Sequence, residues 1–554
     1  MSGLTARLAF GLVIAVATTL RAIHLAWGLP SFDHPDSLIY FVQPAAQLVA
    51  ARQLVPPQFV HPPGLVYALG LVYLLWSTLS SHAIILTNPG FTAELPTLVL
   101  VGRAVCSGIG VASVAVLYLL ARRLAGTRAA LLAAAAFAVA PLHVLESHRV
   151  NPDGAAILLM LLAAHAAVRA ADERGTGRLL AGFALAGLAG ATKYTGLLGA
   201  TVPAGIALAW EGAARPRRLG LVLVGACVTV AVFSVGMLPA AFAWSRVVDA
   251  LHMMSAFGYT ILPPGQGLSG DGWVFRRYLY PLLVSLPYIM GWPAYLLALT
   301  GLVAIGRTSR RAQAVVLAAI VPYFLLQGSA PLAVHRYFLP LLPWLALAAG
   351  AALDRVWRAR RAFGAVLAAC VVGYTALLSV SQCARLRLAP RDAVARMIAE
   401  RAPAGDAVDR PLVVGYQDAV TLVYDPLRPR LLQPGVRVVY FPEPDQNLRQ
   451  VAARVPSDDE RLALERQWVR DTGVEVVVLP DWVENGVLRE RPDGPIAGFY
   501  RRLADGRLGF RLAADFRSHY LTEALYVWAD PMLETHLETG ILAYKVFLRD
   551  GEAG

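Results

Sequence analysis

Apolar runs of roughly 18 or more residues follow one another through the first two-thirds of the chain and stop after about Cys383. The polar positions between them are grouped rather than alternating. Arginines cluster at Arg122-Arg123 with Arg128, at Arg169 with Arg174 and Arg178, at Arg215 with Arg217-Arg218, at Arg307 with Arg310-Arg311, and at Arg355 with Arg358, Arg360 and Arg361. Two acidic segments, Ser31-Phe-Asp-His-Pro-Asp-Ser-Leu-Ile-Tyr40 and Glu146-Ser-His-Arg-Val-Asn-Pro-Asp153, sit where apolar runs break. The pattern predicts an α-helical polytopic membrane protein. With a cytoplasmic N-terminus and an inner loop at each arginine cluster, the positive-inside rule gives about eleven spans and an outer C-terminus.

The first span ends near residue 28, and the next three cover about 103–120, 129–144 and 154–168. A hairpin between Arg178 and Arg215 breaks near Ala191-Thr-Lys-Tyr194, one pair brackets an outer loop at about 244–280, another turns at Ala333-Val-His-Arg-Tyr337, and the last span covers about 363–381. Both acidic segments then lie outside, with Lys193 at the same boundary. Residues 64–79 are apolar but short, and a span there would break the parity; residues 35–52 are amphipathic and start with Pro35, suited to a first helical position. Both read as interfacial helices of the first outer loop.

Residues 1–383 thus form the membrane domain and 384–554 an extracytoplasmic α/β soluble domain. In the second part 390–401 reads as an amphipathic helix, and 412–415, 436–440, 474–479 and 543–547 read as strands. Neither a Gly-rich phosphate loop nor a nucleophile elbow is present there, so the chemistry is expected in the membrane domain.

Composition agrees. The chain is 57% hydrophobic and 16% charged, against about 25% charge for soluble domains. The net charge of +12 is carried by the loop arginines as a topology signal, which excludes a nucleic-acid surface as the main reading. Cys106, Cys227, Cys370 and Cys383 show no metal or disulfide spacing and read as packing residues. Arg21 and His24 directly after the first apolar run, without a small-residue cleavage site, favour an uncleaved first helix over a signal peptide. Arg103 reads as capping a span, and Arg21 as pairing with a nearby acid.

Carboxylates beside membrane spans are costly and usually serve a cavity. Four segments in order carry a resemblance: His34-Pro-Asp-Ser-Leu-Ile-Tyr40; His61-Pro-Pro-Gly64; Glu146-Ser-His-Arg-Val-Asn-Pro-Asp153 followed by Gly187-Leu-Ala-Gly-Ala-Thr-Lys-Tyr194; and His335-Arg-Tyr-Phe-Leu-Pro-Leu-Leu-Pro343. Together they resemble the GT-C superfamily of membrane glycosyltransferases, in its protein O-mannosyltransferase-like (family 39) and aminoarabinose–lipid A transferase-like branch. The resemblance implies hexosyl or pentosyl transfer from a polyprenyl-phosphate-linked sugar donor to a lipid, glycan or protein acceptor, on the outer face of a bacterial inner membrane. It also implies Asp36 as the catalytic carboxylate. Ser37 stands where many relatives have a second acid, and Glu146-Ser147-His148 where others have Asp-Ser-His.

Such a transfer needs a carboxylate to orient and deprotonate the acceptor hydroxyl, positive charge for the leaving phosphate, and an apolar groove for the tail. Asp36 is the candidate base, the plain alternative being a helix-end charge after Pro35. Asp153 is the second catalytic candidate, as a partner for a base or a contact to acceptor or sugar. Lys193 and Arg336 are the candidate phosphate ligands, against interfacial snorkelling. His61 is a further phosphate candidate, and Glu146, His148, Tyr194 and Tyr337 complete the set; for the histidines a structural hydrogen bond is the alternative. The acids and histidines lie on scattered loops with no helical i, i+4 pair, so no metal is expected, a divalent cation being the disfavoured alternative. A transporter or flippase of a lipid-linked saccharide is the competing function; it would place charges near the midplane and show internal repeats. A non-catalytic scaffold is the third reading.

Overall fold

The computed structural model describes residues 3–27, 29, 36–84, 94–210, 214–250, 252, 278–329, 335–387, 391–402, 411–416, 435–440, 458–480, 495–517 and 543–550. Asp33, His34 and Pro35 lie outside them. The chain forms two compact units, one from Met1–Leu25 and Asp36–Cys383, the other chiefly from Ala384–Tyr520 with the C-terminal strand.

The first unit is helical: α1 (Gly3–Ala22), a π-turn (Ser37–Val42) running into α2 (Gln43–Ala51), α3 (Gly64–Ser80), α4 (Leu95–Ala125), α5 (Thr127–Ala138), α6 (Pro141–Glu146), α7 (Asp153–Glu173), α8 (Thr176–Thr192), a 3-10 turn (Tyr194–Ala200) leading into α9 (Thr201–Leu208), and α10 (Arg215–Gly236). Further helices run Trp292–Thr308, Arg310–Ser329, Leu342–Ala359 and Arg361–Arg387. Among the described residues, seven helices are long and apolar enough to cross a membrane, or eight if the bent pair Pro281–Met290 and Trp292–Arg307 is one span. Large apolar side chains face outward on several of them, as Leu223, Val230 and Val235 do on α10 at 66%, 60% and 72% exposure. A monomer in water does not tolerate such faces, whereas lipid covers them without cost. The chain is an integral membrane protein.

The expected count of about eleven spans is not reached by this measure, and the reason is local. α5 has 12 residues and α8 has 17, and the apolar stretch Tyr194–Leu208 is also short. Pro141 pushes Ala140 into extended geometry, which ends α5. Lys193 is extended between α8 and the 3-10 turn. The 115° bend turns at Gly291, whose φ of 81° suits a residue without a Cβ. Residues 36–51 and 64–80 are helices, as the pattern required.

Two expectations about single arginines are corrected. Arg103 lies inside α4 rather than at its end, since the helix starts at Leu95; it is buried and donates to the Leu25 carbonyl at 2.9 Å. Arg21 is fully buried, but among the described residues no acid holds it. It donates to the carbonyls of Ala17 and Ala138 and to Ser147 Oγ, and its Nη2 lies 2.6 Å from His143 Nδ1.

The second unit holds a five-stranded sheet of order β2-β1-β3-β5-β4, from β1 (Leu412–Tyr416), β2 (Val436–Tyr440), β3 (Val476–Pro480), β4 (Phe510–Arg517) and β5 (Ala543–Arg549). β1 pairs in parallel with β2 and β3, while β5 is antiparallel to β3 and β4. Alternation along the strands supplies two buried faces. Val413, Val477 and Leu479 pack with Leu462, Val469 and Leu503 of the helices Asp458–Thr472 and Pro495–Ala504. Leu412, Val414, Val476 and Val478 pack with Val394 and Ile398 of Arg391–Arg401.

Between the first two of these helices, buried Arg502 binds both oxygens of Glu465, at 2.7 and 2.5 Å. That contact, ahead of the cost of burial, holds the guanidinium firmly protonated. Removing one partner strands the other charge, so Arg502→Ala should destabilise this unit by about 3 kcal/mol. Proteolysis in a urea series on the intact protein measures it; Arg502→Ala with Glu465→Ala should cost less than the sum of the two single changes.

Candidate active site

The breaks that shorten the helices also bring charged side chains together. Asp153 opens α7, where the helix dipole favours a carboxylate, and its backbone N–H donates to Asn151 Oδ1 at 3.0 Å. Lys193 projects from the break after α8 and forms an ion pair with Asp153; both side chains are nearly buried, at 11% and 5% exposure. The sharp reversal after Lys193 requires Gly196, because a Cβ there would sit 2.3 Å from the Ala189 carbonyl oxygen.

Arg336 lies in a 3-10 turn (His335–Leu341), which contains Pro340 and runs into the helix Leu342–Ala359 with Pro343 in its first turn. Its Nη2 donates to Asp36 Oδ2 at 2.7 Å, across 300 residues of sequence. Both cations lie against one ring: Lys193 Nζ is 5.1 Å and the Arg336 guanidinium carbon 5.8 Å from the centroid of Tyr337. Tyr323, buried in the helix Arg310–Ser329, donates to the Tyr337 carbonyl at 3.1 Å and lies 3.3 Å from Thr195 Oγ1. It thereby ties the two cation-bearing breaks to each other.

His61 stacks on Phe41 and meets Tyr40 edge-on, with centroids 5.2 and 5.5 Å apart. Burial first, then the Lys193 ammonium, pushes its pKa down to about 4, although Asp36 pulls the other way. At neutral pH it is therefore an uncharged hydrogen-bonding group, not a cation. Tyr194 donates to the Phe59 carbonyl at 3.1 Å and so anchors the loop that carries His61.

Glu146 is buried, bound by Arg149 Nη1 at 2.8 Å and Asn151 Nδ2 at 2.7 Å. Burial holds its carboxyl above the usual range, opposed by Arg149 and Arg336. The buried Arg149 keeps two N–H groups, Nε and Nη2, with no hydrogen-bond partner among the described residues.

Asp36, His61, Asp153, Lys193, Arg336 and Tyr337 thus share one electrostatic neighbourhood, with Glu146 felt at its edge. His148 stands apart: its ring nitrogens lie 2.9 Å from the carbonyl oxygens of Val144 and Ile23, a buried tie between helix ends. Arg149, Asn151 and Tyr323 were not singled out from the sequence. The first two lie inside a motif that was, and their asparagine and arginine character was the available signal. Tyr323, in an apolar run, gave none. Among the described residues no three His, Cys, Asp or Glu side chains are grouped to hold a metal ion.

Residues 92–238, which include Asp153 and Lys193, match the family model of dolichyl-phosphate-mannose-protein mannosyltransferases. The match agrees with the resemblance carried by the motifs. No curated protein matches the chain. Among solved structures the chain is similar to the Archaeoglobus fulgidus oligosaccharyltransferase in complex with Zn and sulfate (15% identity, TM-score 0.48, 88% of this chain and 71% of that one). It is also similar to ArnT from Cupriavidus metallidurans bound to undecaprenyl phosphate (17%, 0.45, 87% and 94%). A third similarity is to the Saccharomyces cerevisiae protein O-mannosyltransferase Pmt1–Pmt2 complex bound to the sugar donor (18%, 0.33, 44% and 34%).

The depressed pKa of His61 has a stability consequence. Its folded value of about 4 lies below the unfolded 6.5, so its contribution is full above pH 6.5 and is lost as pH falls through 4. Between pH 7 and pH 5 the wild type should lose about 1–2 kcal/mol more than His61→Asn, read as the pH dependence of denaturant midpoints in detergent.

Proposed function

We propose that this protein transfers a sugar from a polyprenyl-phosphate carrier to an acceptor hydroxyl on a lipid, glycan or protein at the outer face of a bacterial inner membrane. The observation that carries the reading is the meeting of two carboxylate–cation pairs, Asp36–Arg336 and Asp153–Lys193, on the ring of Tyr337. Asp153 stands at the first turn of a helix long enough to cross the membrane. A site at a helix end suits a lipid donor whose phosphate lies at the bilayer boundary, and a midplane transport site less well.

In the transfer, the acceptor oxygen forms a bond to the anomeric carbon while the bond from that carbon to the phosphate oxygen breaks. The phosphate leaves with the bonding electrons, and the acceptor proton passes to a carboxylate. In this reading Arg336 and Lys193 take the phosphate charge, and the unsatisfied N–H groups of Arg149 are further donors. As Arg336 turns to the phosphate, Asp36 loses its counter-ion and becomes a better base for the hydroxyl. His61, uncharged, adds a hydrogen bond to phosphate or sugar. In this reading the catalytic residues lie within residues 1–383, and residues 384–554 make up the extracytoplasmic domain. No divalent ion is needed in this scheme, so EDTA should leave turnover unchanged.

Asp36→Asn keeps the shape and removes the basicity. It should lower turnover about 10²–10⁴-fold while the donor still binds, and Ser37→Ala should do far less. Lys193→Ala and Arg336→Ala should each lower turnover by about 30- to 1,000-fold, the loss of about 2–4 kcal/mol of charge stabilisation. Labelled polyprenyl-phosphate sugars incubated with membranes, with donor binding and product measured separately, decide these outcomes. Wild-type turnover in Asp36→Asn would remove this carboxylate as the base.

A further inference from the structure

A cavity outside the site lies at the opposite end of α7. That helix has 21 residues, so about 30 Å separates Asp153 in its first turn from the residues past its end. There a cavity of about 240 Å³ opens between α7, α9 and the helix Arg310–Ser329, and Arg174, Trp210 and Arg311 are among its lining residues. The rest of its wall is apolar, with Val202, Ile206 and Val315 on it. This is far more space than one water fills, and it combines what a lipid presents: an apolar channel, an amphipathic indole and guanidinium groups.

The charge around it is unbalanced. Arg311 donates to Asp172 at 2.6 Å and to the Val168 carbonyl at 2.8 Å, and Asp172 also takes Arg123 at 2.9 Å. Glu173 is engaged by Arg169 at 3.1 Å and by Arg178. Arg174 is exposed, and among the described residues its guanidinium has neither a hydrogen bond nor an ion pair. The end of α7 therefore carries more guanidinium than carboxylate, with one guanidinium left over beside an apolar cavity.

We propose that this cavity binds an anionic phospholipid, with its phosphate on Arg174 and the edge of Arg311 and one acyl chain among Val202, Ile206 and Val315. Trp210 packs at the level of the head group. Basic pockets between membrane helices hold anionic head groups in this way. The site is separate from the sugar donor's, across the thickness of the bilayer, and does not depend on the reaction proposed above.

Native mass spectrometry of the full-length protein in detergent, titrated with dioleoylphosphatidylglycerol or dioleoylphosphatidylcholine, tests the assignment. Phosphatidylglycerol should bind at least about tenfold more tightly, and Arg174→Gln should weaken it about fivefold, as loss of one basic contact implies. Gly205→Leu fills the cavity and should reduce retention by tenfold or more. A Cβ at that position meets only Ala318 Cβ at an ordinary 3.7 Å, so Gly205→Ala should bind like the wild type and separate filling from misfolding. Equal retention of the two lipids, or wild-type retention in both Arg174→Gln and Gly205→Leu, would overturn the proposal. So would displacement of phosphatidylglycerol by inorganic phosphate, or a preference for undecaprenyl phosphate over it.

Discussion

A carboxylate buried at a membrane boundary costs several kcal/mol unless a cation answers it. Here Asp153 is answered by Lys193 and Asp36 by Arg336, and the helix breaks are arranged around that requirement. Lys193 reaches Asp153 only because α8 stops at Thr192 and the chain turns extended. Arg336 reaches Asp36 because a 3-10 turn, not an α-helix, opens the stretch before Leu342. Tyr323 then fixes both breaks from a third element. Any rearrangement that regularised these helices would strand at least one charge.

In the proposed transfer the same pairs supply the chemistry. A cation that has a carboxylate partner is held near its working position before a phosphate arrives. In that transfer the donor phosphate competes with the Asp36 carboxylate for Arg336, which would free Asp36 where the acceptor hydroxyl needs a base. Tyr337 presents a π-face to both cations, which lowers the cost of holding two positive charges near each other without adding another anion.

The breaks were legible in the sequence because polar residues interrupt apolar runs there. Asp36, His61, Asp153, Lys193, Arg336 and Tyr337 could be named from those interruptions together with the resemblance that the four motifs carry. What sequence could not show is which cation takes which acid, since 300 residues separate Asp36 from Arg336. Arg103 reads as a boundary because it stands at the start of an apolar run, and Arg21 as an acid's partner because it lies in a helix; inside the bundle, backbone carbonyls and a histidine hold them instead. For His148 the structure favours the alternative of a structural hydrogen bond, its ring nitrogens lying against two carbonyls. In the soluble part, the four hydrophobic strands were visible by alternation. β4, Phe-Arg-Leu-Ala-Ala-Asp-Phe-Arg, was not, because it is an edge strand with polar and small residues mixed along it.

The claim at the centre is that Asp36 and the donor phosphate compete for Arg336. It is tested most directly by measuring polyprenyl-phosphate affinity in Asp36→Asn, in Arg336→Ala and in the double variant. Removing the carboxylate's charge should tighten phosphate binding by about tenfold, roughly 1.4 kcal/mol, when Arg336 is present, and should have no such effect when Arg336 is alanine. Unchanged or weakened binding in Asp36→Asn, or the same tightening in both backgrounds, would contradict it.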